Sequence, residues 1–298
     1  MVVATGFFDG VHIGHRLVIA QLVEQAKLFG DESLVVTFWP HPRNVLQKEA
    51  HSLRLLSSLD EKTEMLRNLG VDRVEVIPFT REFSRLTVRR YLSEYVIKRF
   101  GGTRIVLGYD NRFGCEDDSE NIAAVASDLG LGVVNASKCS SETGMAVSST
   151  WIRTMISAGD VEEASGLLGY NYSLFGVVVS GDRIGRTLGF PTANMQLYEP
   201  LKLVPGNGAY LVRVTVLGEQ HYGMCNIGIR PTVRVGNATT IETHIFDFDQ
   251  DIYGLDLSVT FLHRIRPEVK FVSLEALKAQ LEEDRSLCQD LIKEYGRY

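Results

Sequence analysis

The chain has 298 residues, which at roughly 100–200 residues per domain points to two domains. Its 45% hydrophobic and 23% charged residues are ordinary globular composition, which excludes a disordered chain, a collagen-like rod and a disulfide miniprotein. A formal net charge of −6 exerts no global pull toward nucleic acid, and no apolar run approaches the roughly 18 residues that span a bilayer. Met1 to Gly10 lacks the cationic-then-apolar order of a secretory signal. Cys115, Cys139, Cys225 and Cys288 lie far apart with no CxxC pair, the usage expected in a reducing cytoplasm and not that of a structural zinc site.

The first half alternates strands and helices. Residues 2–5 read as a short apolar strand. Residues 17–29 follow as a helix with Leu17, Leu22, Ala26 and Phe29 near one face, closed by Gly30. Residues 34–38 form the next strand. Ser58 with Glu61 makes a capping box for a helix that runs to Gly70. Residues 74–77 are a strand, and residues 87–100 a helix with Tyr91, Leu92, Tyr95 and Val96 on one side. Residues 105–107, 121–129 and 132–135 then read as strand, helix and strand. Five strands interleaved with helices predict a Rossmann-like parallel sheet covered on both faces, with ligands at the carboxyl ends of its strands.

The loop after the first strand reads Gly6-Phe7-Phe8-Asp9-Gly10-Val11-His12-Ile13-Gly14-His15 and opens directly into a helix. Its glycines admit a ligand close to the backbone, and a helix start offers N–H groups to phosphate. His12 and His15, three apart around the small Gly14, can both donate to one phosphate chain. The spacing is neither GxGxxG nor the P-loop; a turn with two exposed histidines, or half of a zinc site, would read the same way. Ser148-Ser149-Thr150-Trp151-Ile152-Arg153 offers hydroxyls at a helix start and an arginine on its first turns, a second cradle for phosphate. A plain N-cap at Ser148 and a solvated helix face at Arg153 are the ordinary alternatives.

In the second half, residues 158–169 predict a helix with Val161, Ala164, Leu167 and Leu168 inward. Short strands then dominate, at 175–180, 208–216, 221–227, 241–246 and 257–262, with turns at Gly218, Gly228, Gly236-Asn237 and Asp249-Gln250-Asp251. This pattern predicts a small antiparallel barrel. Residues 272–295 close the chain as an amphipathic helix with Leu274, Leu277, Leu281, Leu287 and Leu291 as its apolar stripe and Glu282-Glu283-Asp284 on its solvated face. The string from Gly181 to Asn194 combines glycines with Arg183 and Arg186, fit to wrap phosphates. Thr192 and Asn194, two apart, share one side of an extended chain and carry neutral oxygens suited to Mg²⁺ and phosphate. Glu242 stands alone in an apolar strand, where a carboxylate could take a hydroxyl proton or simply face solvent on the barrel's outside.

The His12-Ile13-Gly14-His15 core with Ser148 to Arg153 resembles the HxGH nucleotidyltransferases. The fuller string, with Thr37 to Pro42 and Gly108 to Gly114, resembles the adenylyltransferase module of the bacterial bifunctional riboflavin kinase/FAD synthetase family. Gly185 to Asn194, with its Pro191-Thr192-Ala193-Asn194 core, resembles the riboflavin kinase signature of the same family. Asn226 to Thr232 and Ile241 to Phe248 fit it too. The resemblance implies a bifunctional enzyme that phosphorylates riboflavin with ATP and then adenylylates FMN to FAD with release of pyrophosphate. It implies domains at 1–157 (FMN adenylyltransferase) and 172–298 (riboflavin kinase), joined by a linker helix at 158–171. It makes Gly6, Phe7, His12, Gly14, His15, Asp110, Ser149 and Arg153 the ATP site of the first domain. Gly185, Arg186, Thr192 and Asn194 become the ATP site of the second, Thr192 and Asn194 holding Mg²⁺ largely through ATP. Glu242 becomes the catalytic residue that activates the terminal ribityl hydroxyl. ATP, riboflavin, FMN and FAD are then substrates or products, and the partners are these small molecules with transient self-association, not nucleic acid or membrane. One departure is local. Cys115-Glu116-Asp117-Asp118-Ser119-Glu120 is acidic where the family carries a basic, glycine-rich stretch.

Overall fold

The computed structural model describes residues 1–46, 53–108, 121–136, 146–181, 184–232 and 236–295. Their contacts divide the chain into two units, Met1–Trp151 and Ile152–Tyr298.

The first unit runs β1 (Val2–Thr5), α1 (Ile13–Phe29), β2 (Ser33–Trp39), α2 (Pro42–Leu46), α3 (Leu59–Asn68), β3 (Arg73–Pro78), α4 (Arg81–Ser84), α5 (Val88–Tyr91), a π-helical continuation over Leu92–Arg99, β4 (Arg104–Leu107), α6 (Ile122–Asp128) and β5 (Gly132–Asn135). The sheet is parallel in the order β3-β2-β1-β4-β5. β1 is central, so the chain reverses its winding there, and the carboxyl end of β1 is the switch point where such sheets bind ligands. Each strand sends alternate residues to opposite faces. Val3, Leu34, Val36 and Ile105 pack with Phe83, Leu92 and Val96, while Val2, Ala4, Val35 and Val106 pack with Ile19, Leu22 and Leu66 of α1 and α3. The doubly covered sheet expected from the alternation is therefore present. Ser58 and Glu61 form the capping box, with Ser58 N–H donating to Glu61 Oε2 at 2.7 Å and Glu61 N–H to Ser58 Oγ at 3.1 Å. The helix expected over 87–100 keeps Tyr91, Leu92 and Val96 buried, but its second half winds as a π-helix, closed by Phe100 N–H to Tyr95 O at 3.0 Å.

The second unit receives most of α7 (Ser149–Ala158), then α8 (Val161–Leu168), β6 (Ser173–Val179), α9 (Ile184–Thr187), β7 (Ala193–Leu197), β8 (Gly208–Val216), β9 (Glu219–Thr232), β10 (Gly236–Ile245), β11 (Asp256–Pro267) and α10 (Leu274–Tyr295). The strands close a barrel in the order β10-β7-β6-β11-β8-β9. Leu174, Val212, Cys225, Ile227, Val259 and Phe261 fill it and are fully buried. α8 packs on β11, where Glu162 meets His263.

The second half departs from its expected pattern at three places. The barrel has β7 as a further strand, which Pro191 and the polar Asn194 and Gln196 hide from hydropathy patterning. Gly228 and Gly236 are not turns: β9 and β10 run through them as a long hairpin pair in continuous register from Gly223↔Ile245 to Thr232↔Gly236. α10 is rotated from its leucine stripe. Leu274 and Leu287 are exposed, Cys288 and Asp284 are buried, and Leu281 and Leu291 pack with Cys288 against Phe190, Leu211, Met224 and Leu262 of the barrel's outer surface. Asp284 belongs to the buried face because Arg266 grips it with two nitrogens, Nε at 3.0 Å to both oxygens and Nη2 at 2.8 Å. The gripped carboxylate tolerates burial that a lone one would not.

Candidate active sites

Residues 6–12 leave the carboxyl end of β1 and lead straight into α1. Gly6 N–H donates to Val36 O at 3.1 Å, and the Phe8 ring lies over Gly6 so closely that a Cβ there would meet it at 2.9 Å. Phe8 and Val11 adopt φ of +49° and +36°, a left-handed backbone that costs a bulky or β-branched residue free energy. Buried Asp9 holds that conformation. Its carboxylate accepts from Leu56 N–H at 3.1 Å to both oxygens, from Ser57 N–H at 3.0 Å and from Ser57 Oγ at 3.2 Å. Ser57 Oγ in turn accepts from Gly10 N–H at 2.9 Å. The strained loop is thus pinned to the segment that precedes α3.

His12 caps α1, its Nδ1 accepting from His15 N–H at 3.4 Å. That assigns the proton of the neutral ring to Nε2. The two imidazoles stack with centroids 3.6 Å apart and planes 18° from parallel, and the Phe8 ring meets His15 edge-on at 5.3 Å. Loss of water, then the neighbouring charges of His12 and Lys62, hold the His15 pKa well below its ordinary value. His15 is therefore a neutral ring near pH 7, a hydrogen-bonding group and not a cation. Its Nδ1 is buried and has no hydrogen-bond partner among the described residues.

Ser148 caps α7 through Trp151 N–H at 3.3 Å. Ser149 Oγ donates to Asp9 O at 3.0 Å, which ties the start of α7 to the histidine loop. A hydroxyl has one proton to give, and here Asp9 O takes it. Arg153 stands one turn further along α7. Gly14 is the second residue of α1, and Phe7 packs its ring against Phe38 and His41 at 5.1 and 5.2 Å. Asp110 and the acidic residues 115–120 lie outside the described residues.

The second site lies on the barrel. Glu242 of β10 pairs directly with Asn194 of β7 on one side and with Asn226 of β9 on the other. Directly opposed residues in antiparallel strands share a face, with Cβ atoms roughly 5 Å apart. Their neighbours Ala193, Thr243, Cys225 and Ile227 are buried in the barrel, so Asn194, Glu242 and Asn226 form a polar row on its outer surface. Thr192 lies two residues before Asn194, just ahead of β7. Gly181 backs Asn194. Gly185 opens the short turn α9, and a Cβ there would meet Phe190 O at 2.3 Å, so only glycine lets that turn close, through Phe190 N–H to Gly185 O at 2.8 Å. A cavity of about 350 Å³ adjoins, walled by Arg186 and Thr192 with the apolar Val178, Ile245, Phe248 and Ile252. His244 joins the two β-strands of the site to the preceding loop, its Nδ1–H donating to Pro191 O at 2.8 Å. Burial lowers its pKa, in keeping with a neutral donor.

The structure brings Asn194 and Glu242 onto one face and His12 and His15 into ring contact. The sequence reading passed over Asp9 with Ser57, Asn226, and the buried Lys62 whose partners come from distant strands. Only Asp9 left a local signal, as an acidic residue beside Gly10 in a glycine-bounded loop.

The chain matches the FAD synthetase family model over residues 1–151 and the riboflavin kinase family model over residues 168–292. It is 39% identical to the bifunctional riboflavin kinase/FMN adenylyltransferase of Listeria monocytogenes, over 95% of this chain and 90% of that one. To the protein of the same description from Escherichia coli K12 it is 35% identical, over 97% and 92%. A Streptococcus pneumoniae crystal structure described as a macrolide-efflux protein is similar with a TM-score of 0.89 and 32% identity, over 97% of this chain and 93% of that one. Among the described residues of this chain, no helix is long and apolar enough to cross a membrane.

Proposed function

This chain belongs to the bifunctional riboflavin kinase/FMN adenylyltransferase family, and on that premise we propose which residues carry each of its two reactions. The enzyme phosphorylates riboflavin to FMN and adenylylates FMN to FAD. The domain boundaries we assign are 1–157 for adenylyl transfer, 158–171 for the linker and 172–298 for the kinase.

In the kinase, the terminal ribityl oxygen of riboflavin attacks the γ-phosphorus of ATP, the bond to the ADP oxygen breaks, and Glu242 takes the hydroxyl proton. The observation that carries this reading is the pairing of Glu242 with Asn194. It sets a carboxylate beside a neutral oxygen donor that Thr192 precedes by two residues, a set suited to a hard cation whose charge is met mainly by phosphate. Thr192 and Asn194 would hold Mg²⁺ there, and Gly185 and Arg186 would flank the phosphates. Bound Mg²⁺ supplies neutralisation of the phosphate charge. The apolar part of the neighbouring cavity suits the adenine.

In the adenylyltransferase, an FMN phosphate oxygen attacks the α-phosphorus of ATP and pyrophosphate leaves. The attacking group is already anionic, so the site needs donors in place more than a base. His12 and His15 donate to the phosphates, with Gly6, Phe7 and Gly14 allowing close approach. Ser149 contributes from the start of α7 by its backbone, and the resemblance adds Arg153 on the same helix and Asp110. Operation in the cytoplasm and transient self-association complete the reading.

The test is chromatographic separation of flavins after incubation with riboflavin, ATP and Mg²⁺. Glu242→Ala is expected to lower FMN formation by about 100-fold or more, and His15→Ala to abolish FAD formation while FMN still accumulates. Equal loss of both products in either variant contradicts two separate sites.

A further inference from the structure

Lys62 is a lysine in an unfavourable place. It follows the capping box on the first turns of α3, where a cation opposes the helix dipole, and its side chain is only 4% exposed. An ammonium withdrawn from water needs compensation. It finds two backbone carbonyls, Phe7 O at 3.1 Å and Phe38 O at 3.4 Å. Phe7 stands two residues past the end of β1 and Phe38 one before the end of β2, the adjacent strands from whose carboxyl ends the first site is built. Phe7 O also accepts from Thr37 Oγ1 at 3.2 Å. Lys62 therefore fastens the exit of β1 to the exit of β2 at the residue where the strained loop begins.

The charged and titratable groups around it are few. Asp9, from the loop, is the opposite charge that favours the ammonium. His15, from α1, feels its positive charge. His41, from the segment after β2, packs on the Phe7 ring. Glu61 is engaged with Ser58. Burial outweighs Asp9 and brings the Lys62 pKa down to about 8, so its charge is lost within a pH range the enzyme can be assayed in.

We propose that Lys62 is a positioning residue for adenylyl transfer: its ammonium clamps the Phe7 and Phe38 carbonyls, holds the histidine loop on the sheet, and sets a positive charge behind the imidazoles. The inference rests on the assignment of that loop to ATP. Above its pKa the lysine keeps its shape but loses its charge, and the two carbonyls lose a charge-assisted donor. The loop can then relax from the left-handed conformation at Phe8 and Val11, and small misplacements are costly in a reaction driven by positioning.

The experiment measures kcat/KM for ATP in FAD formation across pH, with riboflavin phosphorylation by the same samples as reference. Wild-type enzyme is expected to lose FAD-forming efficiency as pH rises through about 8, with phosphorylation lacking that step. Lys62→Met is expected to be about tenfold or more slower in FAD formation near neutral pH and to show no such step. Lys62→Arg, charged throughout, is expected to recover part of the loss, also without the step. Trp39 and Trp151, the two tryptophans of the chain, both lie in the first unit; because Lys62 Nζ lies 6.0 Å from the Trp39 ring centroid, folding is read from the urea midpoint of their fluorescence and not from its intensity. If Lys62→Met is unfolded by that measure, the arginine variant decides: a flat alkaline profile supports the proposal and an unchanged step overturns it. A folded Lys62→Met enzyme with wild-type efficiency, or with the step intact, also overturns it. His15→Ala separates the two levels. Wild-type FAD formation by that variant would refute the loop's assignment to ATP, whereas its loss beside a normal Lys62→Met enzyme would refute only the clamp.

Discussion

Glu242 is a useful carboxylate because of what stands opposite it. The register of β10 with β7 and β9 gives it two amide neighbours, Asn194 and Asn226, and the alternation of strand faces keeps it off the buried interior. Thr192→Ala and Asn194→Ala are therefore expected to raise the KM for Mg-ATP in phosphorylation and to leave FAD formation from added FMN within about twofold, since neutral donors removed from a metal-phosphate site affect that site alone. Asp9 is the corresponding residue of the first site, though it touches no substrate in our assignment. In Asp9→Asn, an amide nitrogen would face the N–H groups of Leu56 and Ser57. We expect a loss of about 2 kcal/mol or more in the stability of the first unit, read from urea unfolding followed by tryptophan fluorescence, with FAD formation falling alongside. Lys62 adds a pH dependence whose sign is fixed. Its folded pKa, about 8, lies below the ordinary 10.5, so the fold disfavours the bound proton. Its contribution opposes folding while both states are protonated, and the opposition is relieved as pH rises from about 8 toward 10.5. A residue that weakens the fold at neutral pH has its explanation in the site and not in the core.

At the scale of elements, the first unit was the more readable, although α1 starts at Ile13 and leaves Leu17 and Phe29 of its expected apolar face exposed, burying Ile19 beside Leu22 and Ala26. β1, β2 and β4 are continuous apolar runs because a parallel sheet covered on both faces asks for nothing else, and Ser58 with Glu61 announces α3. α10 misled because its leucines and its buried face differ. Hydropathy alone counts Asp284 as solvated, and only the arrival of Arg266, eighteen positions away in β11 across a bulge, makes it an interior residue. Arg266→Met is expected to destabilise the second unit by about 3–5 kcal/mol by leaving that carboxylate buried without a counter-charge, held only by Gln280 Nε2 at 3.0 Å, and a further Asp284→Leu to restore much of the loss. Loss of helical circular dichroism on urea titration measures both. β7 went unseen for a related reason. Its outward residues Asn194 and Gln196 are polar, and Asn194 is one that we assign to the nucleotide, so the strand lacks the pattern by which strands are recognised.

In the molecule as a whole, two architectures carry two phosphorus chemistries: a parallel sheet with donors at its switch point, and an antiparallel barrel with an oxygen-lined outer face. FMN is the product of one and the substrate of the other. A mixture of His15→Ala and Glu242→Ala enzymes is accordingly expected to convert riboflavin to FAD, because FMN released by the first variant can reach the intact adenylyltransferase of the second. Absence of FAD from that mixture, with each variant active in its remaining reaction, would mean that FMN does not pass through solution.

Part of each assigned site is contiguous or nearly so in the chain, and contiguity is what sequence preserves. His12 and His15 share a helix start, Thr192 and Asn194 stand at the start of one strand, and alternation of apolar runs sets the two fold classes. These are local consequences of backbone geometry, whose periods of 3.6 and 2 leave their mark on neighbouring residues. What holds these groups in working position is not local. Asp9 to Ser57, Lys62 to Phe7 and Phe38, Glu242 to Asn194 and Asn226, and Arg266 to Asp284 each join residues brought together by strand order or helix docking. A buried charge or a cross-strand pair has no period along the chain, so these contacts became legible only when the tertiary fold had placed both partners.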